Sequence, residues 1–117
     1  MIFRTSMMAI CAGGVAMAGP PLKCSGTDPD WTLTLGASEA RFDYLRRTRF
    51  QVPQSSRAEG RDWPRAYTLI ADFDSAILLV DRAPCDGGPT AAPYAAHVLT
   101  QRGQTPILLT GCCRTQQ

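Results

Sequence analysis

The chain has 117 residues, 44% hydrophobic and 8% aromatic, with 12 Lys and Arg against 10 Asp and Glu, one His, and a formal charge of +2. That length suits one small domain whose apolar core is marginal by itself, and a charge so near zero creates no global field to recruit nucleic acid or an anionic membrane. No segment is apolar for long enough to span a bilayer as a helix.

The first segment reads as a targeting leader. Arg4 supplies a short positive region, Met7 to Ala16 is apolar but too short to cross a membrane, and Ala16-Met17-Ala18 has the Ala-x-Ala form of a cleavage site. The expected organisation is a signal peptide over residues 1–18 and a single β domain over 19–117, with Gly19-Pro20-Pro21 opening the mature chain. A buried first strand or helix of a cytosolic protein is the rival reading, and the lone charge followed by small residues and prolines argues against it. Lipid anchoring needs a small residue directly before the modified cysteine; Cys11 follows Ile10 and Cys24 follows Lys23. Cleavage would remove Arg4 and Cys11, leaving a charge of +1 and an even set of Cys24, Cys85, Cys112 and Cys113. In a short exported chain that set implies disulfides. Neighbours in a strand face opposite ways, so Cys112 and Cys113 should take different partners, and two pairings with Cys24 and Cys85 stay open.

Beyond the leader the dominant period is two. Trp31, Leu33 and Leu35 alternate with Thr32 and Thr34, and Ala40, Phe42 and Tyr44 alternate with Arg41 and Asp43. Gln54 to Pro64 is polar and bounded by prolines, which predicts the longest loop. Tyr67, Leu69, Ala71 and Phe73 alternate again, and Asp74-Ser75 has the composition of a tight hairpin turn. Ala76 to Val80 and Pro106 to Leu109 are short continuous apolar runs, consistent with strands buried more fully. Tyr94 to Thr100 reads as a strand with Ala96 and Val98 on one face, although its alanines leave a helix open, and Gly103-Gln104 joins the last two strands. The expectation is an all-β fold, a small antiparallel β-barrel or sandwich of about seven or eight disulfide-stapled strands.

Gly26-Thr27-Asp28-Pro29-Asp30-Trp31, Cys85-Asp86-Gly87-Gly88 and Gly111-Cys112-Cys113 together resemble a family of small bacterial envelope proteins of unassigned function, of the predicted membrane protein or lipoprotein type. Its members carry Gly-Thr-Glu-Pro-Phe-Trp near the mature start, a Cys-Ser-Asp-Gly-Met-Ser-Asp segment in the middle and a closing Gly-Cys. The likeness spans nearly all the mature chain and extends more weakly to META-type lipoproteins and bacterial lysozyme inhibitors, whose Ser- and Tyr-containing loop motif is missing here. Asp30 replaces an aromatic, and Pro89-Thr90-Ala91-Ala92 stands where members place polar and charged residues, so a site built on that segment would be lost. The resemblance implies that Cys85 pairs with Cys112 and Cys24 with Cys113, because members retain the middle cysteine with the first of the final pair.

Candidate chemistry is sparse. His97 is the only histidine, in an expected strand with no nucleophile assigned to it. Cys112, Cys113, Cys85 and His97 lack the Cys-x-x-Cys spacing of a zinc site, and Asp72 and Asp74 flank Phe73 with too few oxygens for calcium. No glycine-rich phosphate loop occurs, and no metal or other cofactor is expected. Arg41, Arg46, Arg47 and Arg49, interleaved with Phe42, Tyr44 and Phe50, form the one candidate patch, for an anionic ligand such as a lipid headgroup or cell-wall polymer. The expected protein is a periplasmic or secreted, non-catalytic envelope module serving binding or maintenance. Its partner would be an envelope component or protein, not nucleic acid. Two alternatives are an inhibitor of a hydrolase such as lysozyme and an enzyme using His97.

Overall fold

The computed structural model describes residues 21–85, 93–102 and 105–116. The expected leader, its cleavage site, the segment after Cys85 and the Gly103-Gln104 turn lie outside them. Eight strands follow one another: β1 Leu22–Gly26, β2 Trp31–Leu35, β3 Glu39–Tyr44, β4 Arg46–Arg57, β5 Arg65–Ile70, β6 Ser75–Asp81, β7 Tyr94–Arg102 and β8 Thr105–Thr115. Each pairs antiparallel with the next, and β1 pairs with β8, so the sheet is a closed barrel. Between the two architectures the sequence left open, the barrel is the one formed.

Alternation explains the wall. In β2, Trp31, Leu33 and Leu35 point inward and are buried while Thr32 faces out. Phe42 from β3 and Phe50 from β4 are fully buried, with ring centroids 6.3 Å apart. Each such side chain contributes about 1.5–3 kcal/mol by leaving water. Leu69, Leu78, Val80 and Val98 fill the opposite side. The long strands β4 and β8 close the ring, because each has two partners along its length. The first half of β4 pairs with β3 (Ala40↔Phe50) and the second with β5 (Ser55↔Tyr67), with an irregular register between Gln51 and Gln54 at Pro53, which has no N–H to give the ladder. β8 pairs with β7 from Thr105 to Cys113 and with β1 only from Cys112 to Thr115.

Both disulfides have the connectivity that the resemblance implied. Cys24 and Cys113 are directly opposed across the β1–β8 seam, buried and joined, with Cα atoms 4.0 Å apart. Cys85 reaches Cys112 on the outer face, at a Cα separation of 5.7 Å. One end of the barrel carries the turns at residues 27–30, 45 and 71–74. The other carries those at 36–38 and 58–64, where Trp63 packs on Tyr94 at 5.0 Å and Arg65 lies 4.2 Å above the Trp63 ring.

Three expectations need correction. The long loop is shorter than residues 54–64, since β4 runs on to Arg57; its last residues pair with β5 but stay exposed, so no apolar alternation announces them. Phe73 does not extend the alternation of Tyr67 and Leu69. The strand ends at Ile70, a turn closed by Ala71 N–H to Asp74 C=O follows, and Phe73 is 93% exposed at its tip. Ser75 therefore opens β6 instead of sitting in the turn. The continuous apolar run of β6 is not buried more fully than its neighbours: Ala76, Leu78 and Val80 point inward while Ile77 and Leu79 point out and are about two-fifths exposed. A single-layer barrel has only one interior, and among the described residues no helix covers its outer wall.

Candidate functional site

The motif residues Gly26, Trp31 and Gly111 come together at the β1–β8 seam. Trp31 is buried, meets the edge of Phe42 at 6.3 Å and donates its indole N–H to the Thr110 carbonyl at 3.0 Å. Both glycines face this ring. A Cβ on Gly26 would overlap Trp31 Nε1 and the Thr110 carbonyl, and one on Gly111 would overlap the Ser25 carbonyl and sit 2.7 Å from Trp31 Cζ2. Only residues without a side chain let the indole lie there, so these motifs build the fold's seam.

The arginines divide. Arg41, Arg47 and Arg49 alternate outward on β3 and β4, with Arg41 directly opposite Arg49 and Arg47 opposite Asp43, to which it is ion-paired at 3.1 Å. Arg46 belongs to the inward-facing set but lies at the barrel rim. It reaches across to the buried carboxylate of Asp74 at 2.8 Å, tying the β3–β4 turn to the β5–β6 turn. Arg41 and Arg49 have no carboxylate partner among the described residues, and two like charges in direct cross-strand register repel. An anion between them would relieve that repulsion.

Beside Arg49 runs a groove of about 530 Å³, whose lining includes Arg46, Arg47 and Arg49, the carboxylates of Glu39, Asp72 and Asp74, and Thr48 and Phe73. It exists because β5 pairs with β4 only from Gln51 onward, leaving the first half of β4 open on that side. Thr48 Oγ1 is buried in its wall with no hydrogen-bond partner among the described residues. Such a hydroxyl has a proton to give. Leu45 and Phe73, next in sequence to Arg46 and Asp74, are 80% and 93% exposed, so two apolar tips flank the ion pair. Leu45 holds φ at 66°, a left-handed conformation uncommon for leucine. Of the four arginines singled out in the sequence, Arg46, Arg47 and Arg49 line the groove and Arg41 does not; Thr48, Leu45 and Phe73 carried no sequence signal, because their places depend on where β5 stops.

His97 lies on the outer wall, exposed, with Leu79 and Thr110 as its cross-strand neighbours. Among the described residues no three His, Cys, Asp or Glu side chains cluster as metal ligands, and no helix is long and apolar enough to cross a membrane. No family model, curated protein or solved structure matches the chain. What the geometry defines is a closed, disulfide-stapled β-barrel with a groove of mixed charge, three arginines and three carboxylates, at one end.

Proposed function

We propose that the chain is an exported, non-catalytic module of the cell envelope that binds an anionic envelope component through the groove beside β4. The carrying observation is Arg49, which has no carboxylate partner among the described residues, at the same barrel end as the unpartnered Thr48 hydroxyl and the exposed tips Leu45 and Phe73. Arginines grip phosphate or carboxylate oxygens while apolar tips gain by entering a headgroup layer, a combination that suits anionic lipid. Export is supported by the leader composition and by the pairing of Cys24, Cys85, Cys112 and Cys113 in two disulfides, which persist in oxidising compartments. The resemblance to envelope proteins points the same way.

Vesicle sedimentation tests the reading. The oxidised protein should bind vesicles containing phosphatidylglycerol, release them as salt rises, and ignore phosphatidylcholine vesicles. Arg49→Glu changes the charge by two units and should weaken binding roughly thirtyfold, at about 1 kcal/mol per charge near the surface, and Phe73→Ser should weaken it about five- to tenfold by removing an apolar side chain from the headgroup layer. Competition by a soluble anionic polymer would transfer the site to cell-wall polymer, and failure to bind either would end the proposal. The Phe73 tip also favours a second reading, insertion of the 71–74 turn into a hydrolase cleft. Inhibition of lysozyme lost on Phe73→Ser would select it.

A further inference from the structure

The cross-strand register extends the Arg41–Arg49 contact into a longer row. Arg49 on β4 faces Arg41 on β3, Arg41 faces Thr34 on β2, Thr34 faces Lys23 on β1, and Lys23 faces Arg114 on β8. Lys23, Arg41, Arg49 and Arg114 are all exposed on the outer wall, and none has a carboxylate partner among the described residues. At about 4.8 Å per strand the row is about 19 Å long. Each end is a pair of like charges directly opposed, an arrangement that costs stability. The carboxylates of β3 on the same face, Glu39 and Asp43, stand two residues to either side of Arg41. Asp43 is held by Arg47, and Glu39 forms no ion pair with a described residue.

The outward positions around the row decide the kind of anion. Ser25, Thr32 and Thr34 set hydroxyls beside and within it, and Gln51 adds an amide. The aromatic side chains of these strands, Trp31, Phe42, Tyr44 and Phe50, all belong to the inward-facing set, so no ring is offered to a nucleic-acid base. The wall of a closed barrel is convex. A flexible chain can follow the row from end to end, whereas a flat bilayer laid on it touches the middle, where the uncharged Thr34 stands.

We infer that this row binds an acidic polysaccharide. Its carboxylates sit against the Arg41–Arg49 and Lys23–Arg114 pairs, and its sugar hydroxyls bond to Ser25, Thr32 and Thr34. An acid group set between two opposed cations removes a repulsion that no described side chain relieves, and the guanidinium fork matches carboxylate geometry. The row shares Arg49 with the groove and is otherwise separate from it, so the inference does not depend on lipid binding there.

Fluorescence anisotropy of labelled polygalacturonate with the oxidised protein should show binding that weakens as salt rises, and unsubstituted dextran should not bind. Lys23→Glu and Arg114→Glu, neither in the groove, should each weaken binding more than about tenfold, since a like charge then faces the polymer. Both variants should melt at or above wild type, because each turns a like pair into an opposite one. Gln101→Glu puts a negative charge on β7, away from the row, and should change affinity less than about twofold. A loss there as large as at Lys23 would mean that net charge, not the row, holds the polymer. Loss confined to Arg49→Glu would return polymer binding to the groove. An equal loss of vesicle binding in Lys23→Glu would make the row a lipid contact, and tighter binding of single-stranded poly(dT) than of polygalacturonate would make it a nucleic-acid surface. Any of these four results, or no binding of polygalacturonate, overturns the proposal.

Discussion

At Trp31 one residue carries three structural tasks. It fills the core beside Phe42, satisfies the Thr110 carbonyl where β1 stops covering β8, and occupies the space that Gly26 and Gly111 leave open. Truncation to Ala removes all three and should destabilise by about 3–5 kcal/mol, which thermal or denaturant melts will read as partial or complete unfolding of so small a domain. Gly111→Ala should cost about 1–3 kcal/mol, because the new methyl meets the Ser25 backbone and the ring and one of them has to move. A variant that melts within about 1 °C of wild type would show that the seam is looser than described here. His97→Ala gives the opposite contrast. Its side chain is exposed and touches neither glycine nor the groove, so stability should change by less than about 0.5 kcal/mol. Complementation of a deletion strain should also persist; its loss with an unchanged melt would favour the enzyme reading and place the site at His97.

Among the elements, β4 and β8 decide the architecture, since each changes partner midway and so lets a meander close on itself. The seam they create at β1–β8 is where the Cys24–Cys113 bridge sits, joining residues 89 apart in sequence. By chain entropy that bridge contributes about 4.5 kcal/mol and the Cys85–Cys112 bridge, which spans 27 residues, about 3.5 kcal/mol. Replacing Cys24 and Cys113 together by Ala should therefore lower the melting temperature more than replacing Cys85 and Cys112 together. The reverse order would mean that the outer staple, not the seam, limits unfolding. Non-reducing peptide maps should recover Cys24 linked to Cys113, and recovery of Cys24 linked to Cys112 would refute the seam itself.

For the molecule as a whole, two bridges add stability to a small barrel whose core alone would be marginal, and bridges of this kind persist in oxidising surroundings. The exported form should begin at Gly19, carry no lipid, and have the mass of a chain with both disulfides formed. Intact mass spectrometry of the secreted or periplasmic fraction checks all three. A start at Met1 or a lipid on Cys24 would remove the soluble-export reading, and free thiols in the native protein would remove the compartment argument with it.

Period-two alternation in Trp31–Leu35, Ala40–Tyr44 and Tyr67–Leu69 was enough to establish an all-β chain with the correct inward faces, because a strand with one wet side must write its burial into every second residue. The polar end of β4 and the short β1 escaped that reading. Strand residues 54–57 bury no side chain, and Leu22 and Cys24 are too few to show a period. The apolar run in β6 misled for the converse reason: Ile77 and Leu79 are as apolar as Leu78 and Val80, and only the closed wall decides which of them meets water. The arginines of β4 were read only as a patch and not as a strand of their own, and no local signal could place Asp74 beside Arg46, 28 residues away, or put Phe73 at a tip. The choice of barrel over sandwich and the groove both follow from where long strands exchange partners, a matter of register that neither composition nor periodicity encodes.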